Sequence, residues 1–114
     1  MNEPDRIRLR HMLDAARKAI AFASGHTRAD LNENEMLALS IVKCIEIVGE
    51  SAGRISDQCR DEFDAIPWAD IIGMRNRLIH AYFDINLDIL WRTVQDDLTT
   101  LIDVLESLLL NDPF

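Results

Sequence analysis

Apolar residues recur at three- and four-residue steps over most of the chain, the spacing of one face of an α-helix. Three long segments show this pattern: residues 5–23, 32–59 and 87–110. A shorter helix is predicted to begin at Pro67 and to continue to about Tyr82. No strand-like alternation is seen. The pattern predicts an all-α fold, a bundle of four main helices with one short extra helix allowed, in a single domain spanning residues 1–114.

Polar residues predict where the helices begin and where one connection lies. Asn32 or Asn34 can cap the second helix, and Asp84 or Asn86 can cap the fourth, because short polar side chains accept hydrogen bonds from the first free backbone N–H groups. The acidic segment 57–66 is interpreted as a loop.

Two glycines, at positions 49 and 53, lie inside the second predicted helix. Glycine lowers helix stability, so its presence inside a helix needs a reason. We expect each glycine to allow close packing of a neighbouring helix or to mark a bend.

The charge is unevenly distributed along an acidic chain of 114 residues with net charge −8. Residues 1–28 contain six Lys/Arg and three Asp/Glu, whereas residues 29–114 contain six Lys/Arg and 17 Asp/Glu. The molecule as a whole is therefore not drawn to nucleic acid, although a local basic surface is compatible with this distribution. The acidic remainder is interpreted as a solvated surface or as a match for a basic protein partner.

The two cysteines, Cys44 and Cys59, are expected to be reduced. On one continuous helix they would lie roughly 22 Å apart, which is too far for a disulfide. No Cys/His cluster has metal-ligand spacing, so no metal site and no cofactor are predicted. The charged N-terminus lacks an apolar signal core, and no apolar run reaches the length of a membrane span, so a cytoplasmic, soluble protein with no membrane partner is expected.

The segment that concentrates candidate chemistry reads Arg75-Asn76-x3-His80-x-Tyr82, with Arg77 inside it. A guanidinium is a permanently charged fork that suits a phosphate, and a histidine can move protons near neutral pH. Asn76 could orient His80 or a phosphate oxygen, and Tyr82 adds a phenol to the same segment. The segment therefore indicates phosphate chemistry.

A regular helix would not aim these side chains at one point. Arg75 and Tyr82 share one face and Asn76 and His80 share another, while Arg75 and His80 diverge by about 140°. Either the helix loosens near Ala81 or a second copy of the chain completes the site across a two-fold axis. We favour the second copy.

Each of these residues also has a purely structural interpretation. Arg75 could pair with an acid on a neighbouring helix, His80 could be a hydrogen-bonded core histidine, and Tyr82 could be core packing. Arg77 could extend a phosphate-binding surface or simply face solvent, and the sequence does not favour either.

Glu46 and Glu50, four residues apart, share a face of the second helix. Paired carboxylates can transfer protons or bind metal, but the sequence offers no further metal ligand. Helix polarity or ion pairs with Arg75 or Arg54 are the favoured interpretations.

Two stretches resemble the HEPN superfamily, and within it the HepT-like ribonuclease toxins. One is Ile-Glu-Ile-Val-Gly-Glu-Ser-Ala at 45–52, with Arg54 and Ser56 beyond it. The other runs from Ile66-Pro67-Trp68 through the Arg-x4-His-x-Tyr motif to residue 84. The resemblance covers nearly the whole chain and includes the order of the helices.

The resemblance implies an all-helical homodimer whose motif lines a cleft at the interface. It implies a metal-independent ribonuclease in which Arg75 and His80 are catalytic, Asn76, Arg77 and Tyr82 support RNA binding, and transfer RNA is a reasonable substrate. It also implies a toxin encoded beside a minimal nucleotidyltransferase antitoxin, which neutralises the toxin by adding AMP to Tyr82.

Two other functions compete with this interpretation. A non-catalytic HEPN module would bind the nucleotidyltransferase or a nucleotide and cleave nothing. A helical scaffold would need His80 only for stability.

Overall fold

The computed structural model describes residues 1–81 and 84–111, and for His80 and Ala81 it describes the backbone only. Within these ranges the chain is a helical bundle with one small pair of strands, which confirms the all-α prediction. The helices are α1 (Glu3–Ala23), α2 (Asp30–Glu33), α3 (Glu35–Gly53), α4 (Asp57–Glu62), α5 (Trp68–Ile72), α6 (Met74–Leu78), α7 (Leu87–Arg92) and α8 (Leu98–Asn111), with a π-helical turn (Thr93–Asp97) between the last two. The strands are β1 (Ile79–Ala81) and β2 (Asp84–Ile85).

Asparagine side chains cap three of these helices. Asn2 accepts a hydrogen bond from the backbone N–H of Asp5 at α1, Asn34 caps α3, and Asn86 caps α7. Each cap satisfies one of the backbone donors that a helix start leaves free. Of the two pairs of candidate caps in the sequence, Asn34 and Asn86 are therefore the ones used.

The second predicted helix ends earlier than residue 59. α3 stops at Gly53, and the segment expected to be a loop contains α4 over its first six residues. Ser56 explains the new start, because its hydroxyl accepts from the Cys59 N–H and donates to the buried Asp5 carboxylate at 2.6 Å. Cys44 and Cys59 consequently lie on different helices, and both are free thiols.

The predicted motif helix is also interrupted. It consists of α5 and α6, separated by Gly73, and α6 ends at Leu78 rather than near Tyr82. Ile79 adopts an extended conformation and pairs with Ile85 in an antiparallel ladder. The sequence pattern predicted no strand, and these two short strands contradict that expectation. They form because the backbone of one segment pairs with that of the other, which the periodicity of a single segment does not show.

The fourth predicted helix is present over the expected range, but the π-helical turn divides α7 from α8. The hydroxyl of Thr93 donates to the Ile89 carbonyl at 2.8 Å within this region.

The core lies where α1 packs against α3 and α8. Its fully buried side chains lie within the three long apolar-periodic segments, except that of Leu78, which lies in the motif helix. The largest of them are Leu9, Met12, Ile41, Ile45, Val48, Leu78, Leu90, Val94, Leu98 and Leu105. No helix in the described part of the chain has the length and apolar character needed to cross a bilayer.

α5 and α6 pack against a second side of α3, and Gly49 lies at that contact. A β-carbon at this position would lie 3.3 Å from the carbonyl oxygen of Ile72 and 3.6 Å from that of Ile71. Gly49 therefore allows the backbone of α5 to approach α3 closely, as one of the two sequence interpretations predicted. A β-carbon at Gly53 would meet no atom within 4 Å, so close packing does not explain that glycine.

The two glycines provide a matched pair of substitutions. Gly53→Ala should stabilise the protein by about 0.5–1 kcal/mol, because alanine favours the helix and meets open space. Gly49→Ala should destabilise it by about 1 kcal/mol, because overpacking against a backbone carbonyl exceeds the same gain in helix propensity. Urea unfolding followed by circular dichroism measures both changes, and equal stabilisation by the two alanines would show that the contact at Gly49 is not tight.

Candidate functional site

The first residue of the motif, Arg75, forms an ion pair across the contact between α6 and α3. Its Nε donates to Oε1 of Glu46 at 2.9 Å. The guanidinium side chain is 50% exposed, whereas the Glu46 side chain is 24% exposed. The sequence interpretation of Glu46 as an ion-pair partner of Arg75 is therefore confirmed.

A second cation lies on the other side of Glu46. Lys43, one turn earlier on α3, has its Nζ 4.0 Å from Oε2 of Glu46. Glu46 thus lies between two positive charges, one on its own helix and one on the motif helix. This cluster of Arg75, Glu46 and Lys43 is half open to solvent and could meet an anionic ligand.

The neighbouring motif residues do not join this cluster. Asn76 is exposed, and no hydrogen bond joins its amide to another described side chain. Arg77 is two positions from Arg75 and so lies about 200° around the helix. It lines a separate cleft of about 410 Å³ between α5–α6 and α8, together with Asp70 and Asp97.

The remaining two motif residues, His80 and Tyr82, lie at or beyond the end of the described segment 1–81. His80 belongs to β1 by its backbone, and its side chain is outside the described part; Tyr82 lies outside the described residues altogether. Because α6 ends at Leu78, the helical angle between Arg75 and His80 does not apply. Of the two sequence alternatives, loss of regular helix before Ala81 is therefore present within the single chain.

Neither cysteine has the character of a nucleophile. Burial raises the pKa of the Cys59 thiol to about 11, with the Asp5 and Glu62 carboxylates adding to the effect. Burial also raises the pKa of the Cys44 thiol, against a smaller opposing effect of the Lys18 charge. Both thiols are protonated at neutral pH, and the thiolate is the reactive form.

Among the described residues, no group of three or more His, Cys, Asp or Glu side chains is placed to hold a metal ion. Glu50, which shares a face of α3 with Glu46, is exposed and lines an open groove with Arg8 and Arg54.

One surface was not singled out from the sequence. An open groove between α1 and α3 is lined by the apolar side chains of Phe22, Met36 and Leu39, with Lys18 and Lys43 among its charged residues. Met36 is 78% exposed, and Phe22 and Leu39 are more than 40% exposed. The available signal was that α3 carries apolar residues on more than its core stripe, which indicates a second buried or binding face.

These features define a small helical protein with a half-exposed arginine of the Arg-x4-His-x-Tyr motif beside an acidic residue of the preceding long helix. Residues 12–108 match the family described as Ribonuclease HepT-like. The chain belongs to this family of ribonucleases, within the HEPN superfamily, as its two sequence stretches indicated.

Relatives agree with this assignment. The chain is 33% identical over 86 residues to a protein of Methanocaldococcus jannaschii named "Putative RNase", covering 75% of this chain and 79% of that protein. It is 31% identical over 93 residues to a "Putative RNase" of Caldanaerobacter subterraneus, covering 82% and 83%. A "Probable ribonuclease HepT" of Thermococcus cleftensis is 35% identical over 69 residues, covering 60% and 63%. No solved structure matches the chain.

Proposed function

We propose that the protein is a metal-independent endoribonuclease and the toxin of a toxin–antitoxin pair, with Arg75 and His80 as its catalytic residues. The observation that carries the proposal is the presence of the complete Arg-x4-His-x-Tyr motif in a chain of the HepT-like family, with its arginine held at the surface beside Glu46. Transfer RNA is the substrate we would test first.

The proposed reaction needs no metal ion. The 2′-hydroxyl of the RNA attacks the adjacent phosphorus while a base removes its proton, and the 5′-oxygen leaves after an acid protonates it. A 2′,3′-cyclic phosphate and a 5′-hydroxyl are formed. His80 supplies proton transfer, and two copies of His80 in a dimer would divide the acid and base roles.

The proposed role of Arg75 is to stabilise the negative charge that develops on the phosphate oxygens during the reaction. Its contact with Glu46 uses Nε, and no hydrogen bond or ion pair joins Nη1 or Nη2 to a described residue. These two donors can approach a phosphate from solvent. Asn76 and Tyr82 are proposed to support RNA binding, and any contact from Arg77 would be made from the opposite side of α6.

The α1–α3 groove supports the proposal of a homodimer. Exposed apolar side chains gathered in one groove are typical of a protein interface. Lys43 both lines this groove and approaches Glu46, the partner of Arg75. A second copy docked on the groove would therefore lie beside the motif, as a cleft at a dimer interface requires.

Regulation is proposed to act on Tyr82. A cognate nucleotidyltransferase would transfer AMP from ATP to the phenol oxygen, forming a phosphodiester and releasing pyrophosphate. The adduct would place a nucleotide and its phosphate at the motif and block RNA by occupying the site. The competing function, a non-catalytic module that binds this partner or a nucleotide, is supported by the same Arg75–Glu46 pair, since a purely structural arginine also forms such contacts.

Cleavage in the presence of EDTA tests the activity. Wild-type protein should cut bulk transfer RNA or total RNA and leave 2′,3′-cyclic phosphate ends. His80→Ala should slow cleavage by about 10²–10⁴-fold, the usual contribution of proton transfer. Absence of cleavage by wild-type protein whose intact mass shows no adduct would favour the non-catalytic module, and cleavage that EDTA abolishes would refute the metal-independent mechanism.

Charge introduced into the α1–α3 groove tests the dimer. The double variant Met36→Glu/Leu39→Glu should be monomeric in analytical ultracentrifugation and should lose RNA cleavage, because a buried unpaired carboxylate is costly at an interface. Leu110→Glu is the matched control, since Leu110 is 85% exposed at the far end of α8. A dimer that survives the double substitution would place the interface elsewhere.

Substitution of the proposed acceptor tests the regulation. Tyr82→Phe lacks the hydroxyl that receives AMP, so it should show no added AMP in its intact mass after coexpression with the nucleotidyltransferase encoded beside it. The wild-type chain should gain AMP and lose cleavage activity under the same conditions. AMP transfer that persists on Tyr82→Phe would show that another residue is the acceptor.

A further inference from the structure

We infer that Glu46 is a positioning residue for Arg75, and that it holds the guanidinium so that the Nη edge faces the RNA phosphate. This inference rests on the proposed ribonuclease function and adds to it a residue outside the Arg-x4-His-x-Tyr motif. Glu46 acts through Arg75 and does not itself contact the substrate.

The contact between Arg75 and Glu46 uses only one edge of the guanidinium. The Nε of Arg75 donates to Oε1 of Glu46 at 2.9 Å, and this is the contact described for the guanidinium. A guanidinium is planar, so one hydrogen bond at Nε restricts the orientation of the whole fork. Nη1 and Nη2 keep their donors for a second, bidentate partner such as phosphate.

The two residues of the pair lie on helices of very different length. Arg75 belongs to a helix of five residues, and its side chain is half exposed, so α6 alone leaves its long side chain many rotamers. Glu46 projects from the 19-residue α3 and is more buried. One turn further along the same side of α3, Gly49 allows the Ile72 carbonyl to approach closely, which sets the distance between the two helices.

The surrounding charges distinguish Glu46 from the other acid on this face. The Nζ atom of Lys43 lies 4.0 Å from Oε2 of Glu46, so the Glu46 carboxylate is flanked by two cations, Lys43 and Arg75. Glu50 has the same charge and lies one turn away, yet it forms no ion pair with a described residue. Glu50 is therefore the matched control for the loss of one negative charge from α3.

The experiment compares Glu46→Ala, Glu46→Gln, Glu50→Ala and Glu50→Gln as full-length chains. Steady-state cleavage of transfer RNA gives kcat and KM, and the nitrogen-15 spectrum of the arginine Nε–H groups, with Arg75→Lys for assignment, reports the contact directly. Thermal unfolding shows that each variant is folded, since a partly exposed ion pair contributes little to stability.

Positioning predicts a specific pattern. Glu46→Ala should lower kcat on the order of 10- to 100-fold, because a misplaced guanidinium loses transition-state stabilisation. The Nε–H proton of Arg75 should also exchange rapidly with water in this variant, because it no longer has its acceptor. Glu46→Gln keeps an acceptor oxygen and should retain most of kcat. Both Glu50 variants should keep wild-type kcat and a slowly exchanging Arg75 signal.

Three results would overturn the inference. An unchanged kcat in Glu46→Ala would show that Arg75 needs no support, and an increase would show that Glu46 competes with RNA for Arg75. An equal loss in Glu46→Gln and Glu46→Ala would assign the carboxylate to proton transfer or charge instead of positioning.

Binding of a non-cleavable RNA separates a failure of the proposed ribonuclease function from a failure of the positioning role. If the wild-type chain cleaves nothing, the ribonuclease proposal fails, and binding of a non-cleavable 2′-O-methyl RNA replaces the kinetic readout. RNA should then shift the Arg75 Nε–H signal in the wild type and in Glu50→Ala but not in Glu46→Ala. Absence of a shift in the wild type would overturn the positioning role as well.

Discussion

The close contact between α3 and the end of α5, made possible by the absence of a side chain at Gly49, determines where the motif helix lies. The Ile72 carbonyl comes near enough that a β-carbon at Gly49 would lie 3.3 Å away. α6 begins two residues after Ile72, so its position follows from this contact. The pairing of Arg75 with Glu46 depends on the same approach, because Glu46 lies one turn before Gly49 on α3.

The core of the protein and its proposed site use different sides of α3. One side supplies Ile41, Ile45 and Val48 to the core, where burial of apolar surface provides the main driving force for folding. Another side presents Glu46 to Arg75 in a half-exposed pair, which contributes little to stability. Substitutions at the pair are therefore expected to leave the fold in place, whereas substitutions in the core are expected to destabilise it.

The third surface of α3 connects the proposed dimer with the proposed site. The exposed apolar residues Phe22, Met36 and Leu39 lie in a groove that also includes Lys43. Lys43 approaches Glu46, and Glu46 contacts Arg75. A partner docked there would change the solvent exposure and electrostatics of this charged cluster, because removing water strengthens every charge interaction within it. Assembly and activity would then be coupled through one helix.

The sequence by itself determined the helical class, the apolar stripes of the long helices and the family, and it narrowed two helix caps to Asn32 or Asn34 and to Asp84 or Asn86. The helices and their candidate caps follow from local periodicity and side-chain chemistry, which the order of residues records directly. The family follows from the resemblance of two stretches of the chain, which the family match over residues 12–108 confirms. Only the tertiary structure decided that α6 ends at Leu78, because Ile79 pairs with Ile85, and that Glu46 rather than Glu50 pairs with Arg75. Both outcomes depend on which residues meet in three dimensions, six positions apart for the two strands and 29 positions apart for the ion pair. The helical periodicity of the chain does not encode either contact.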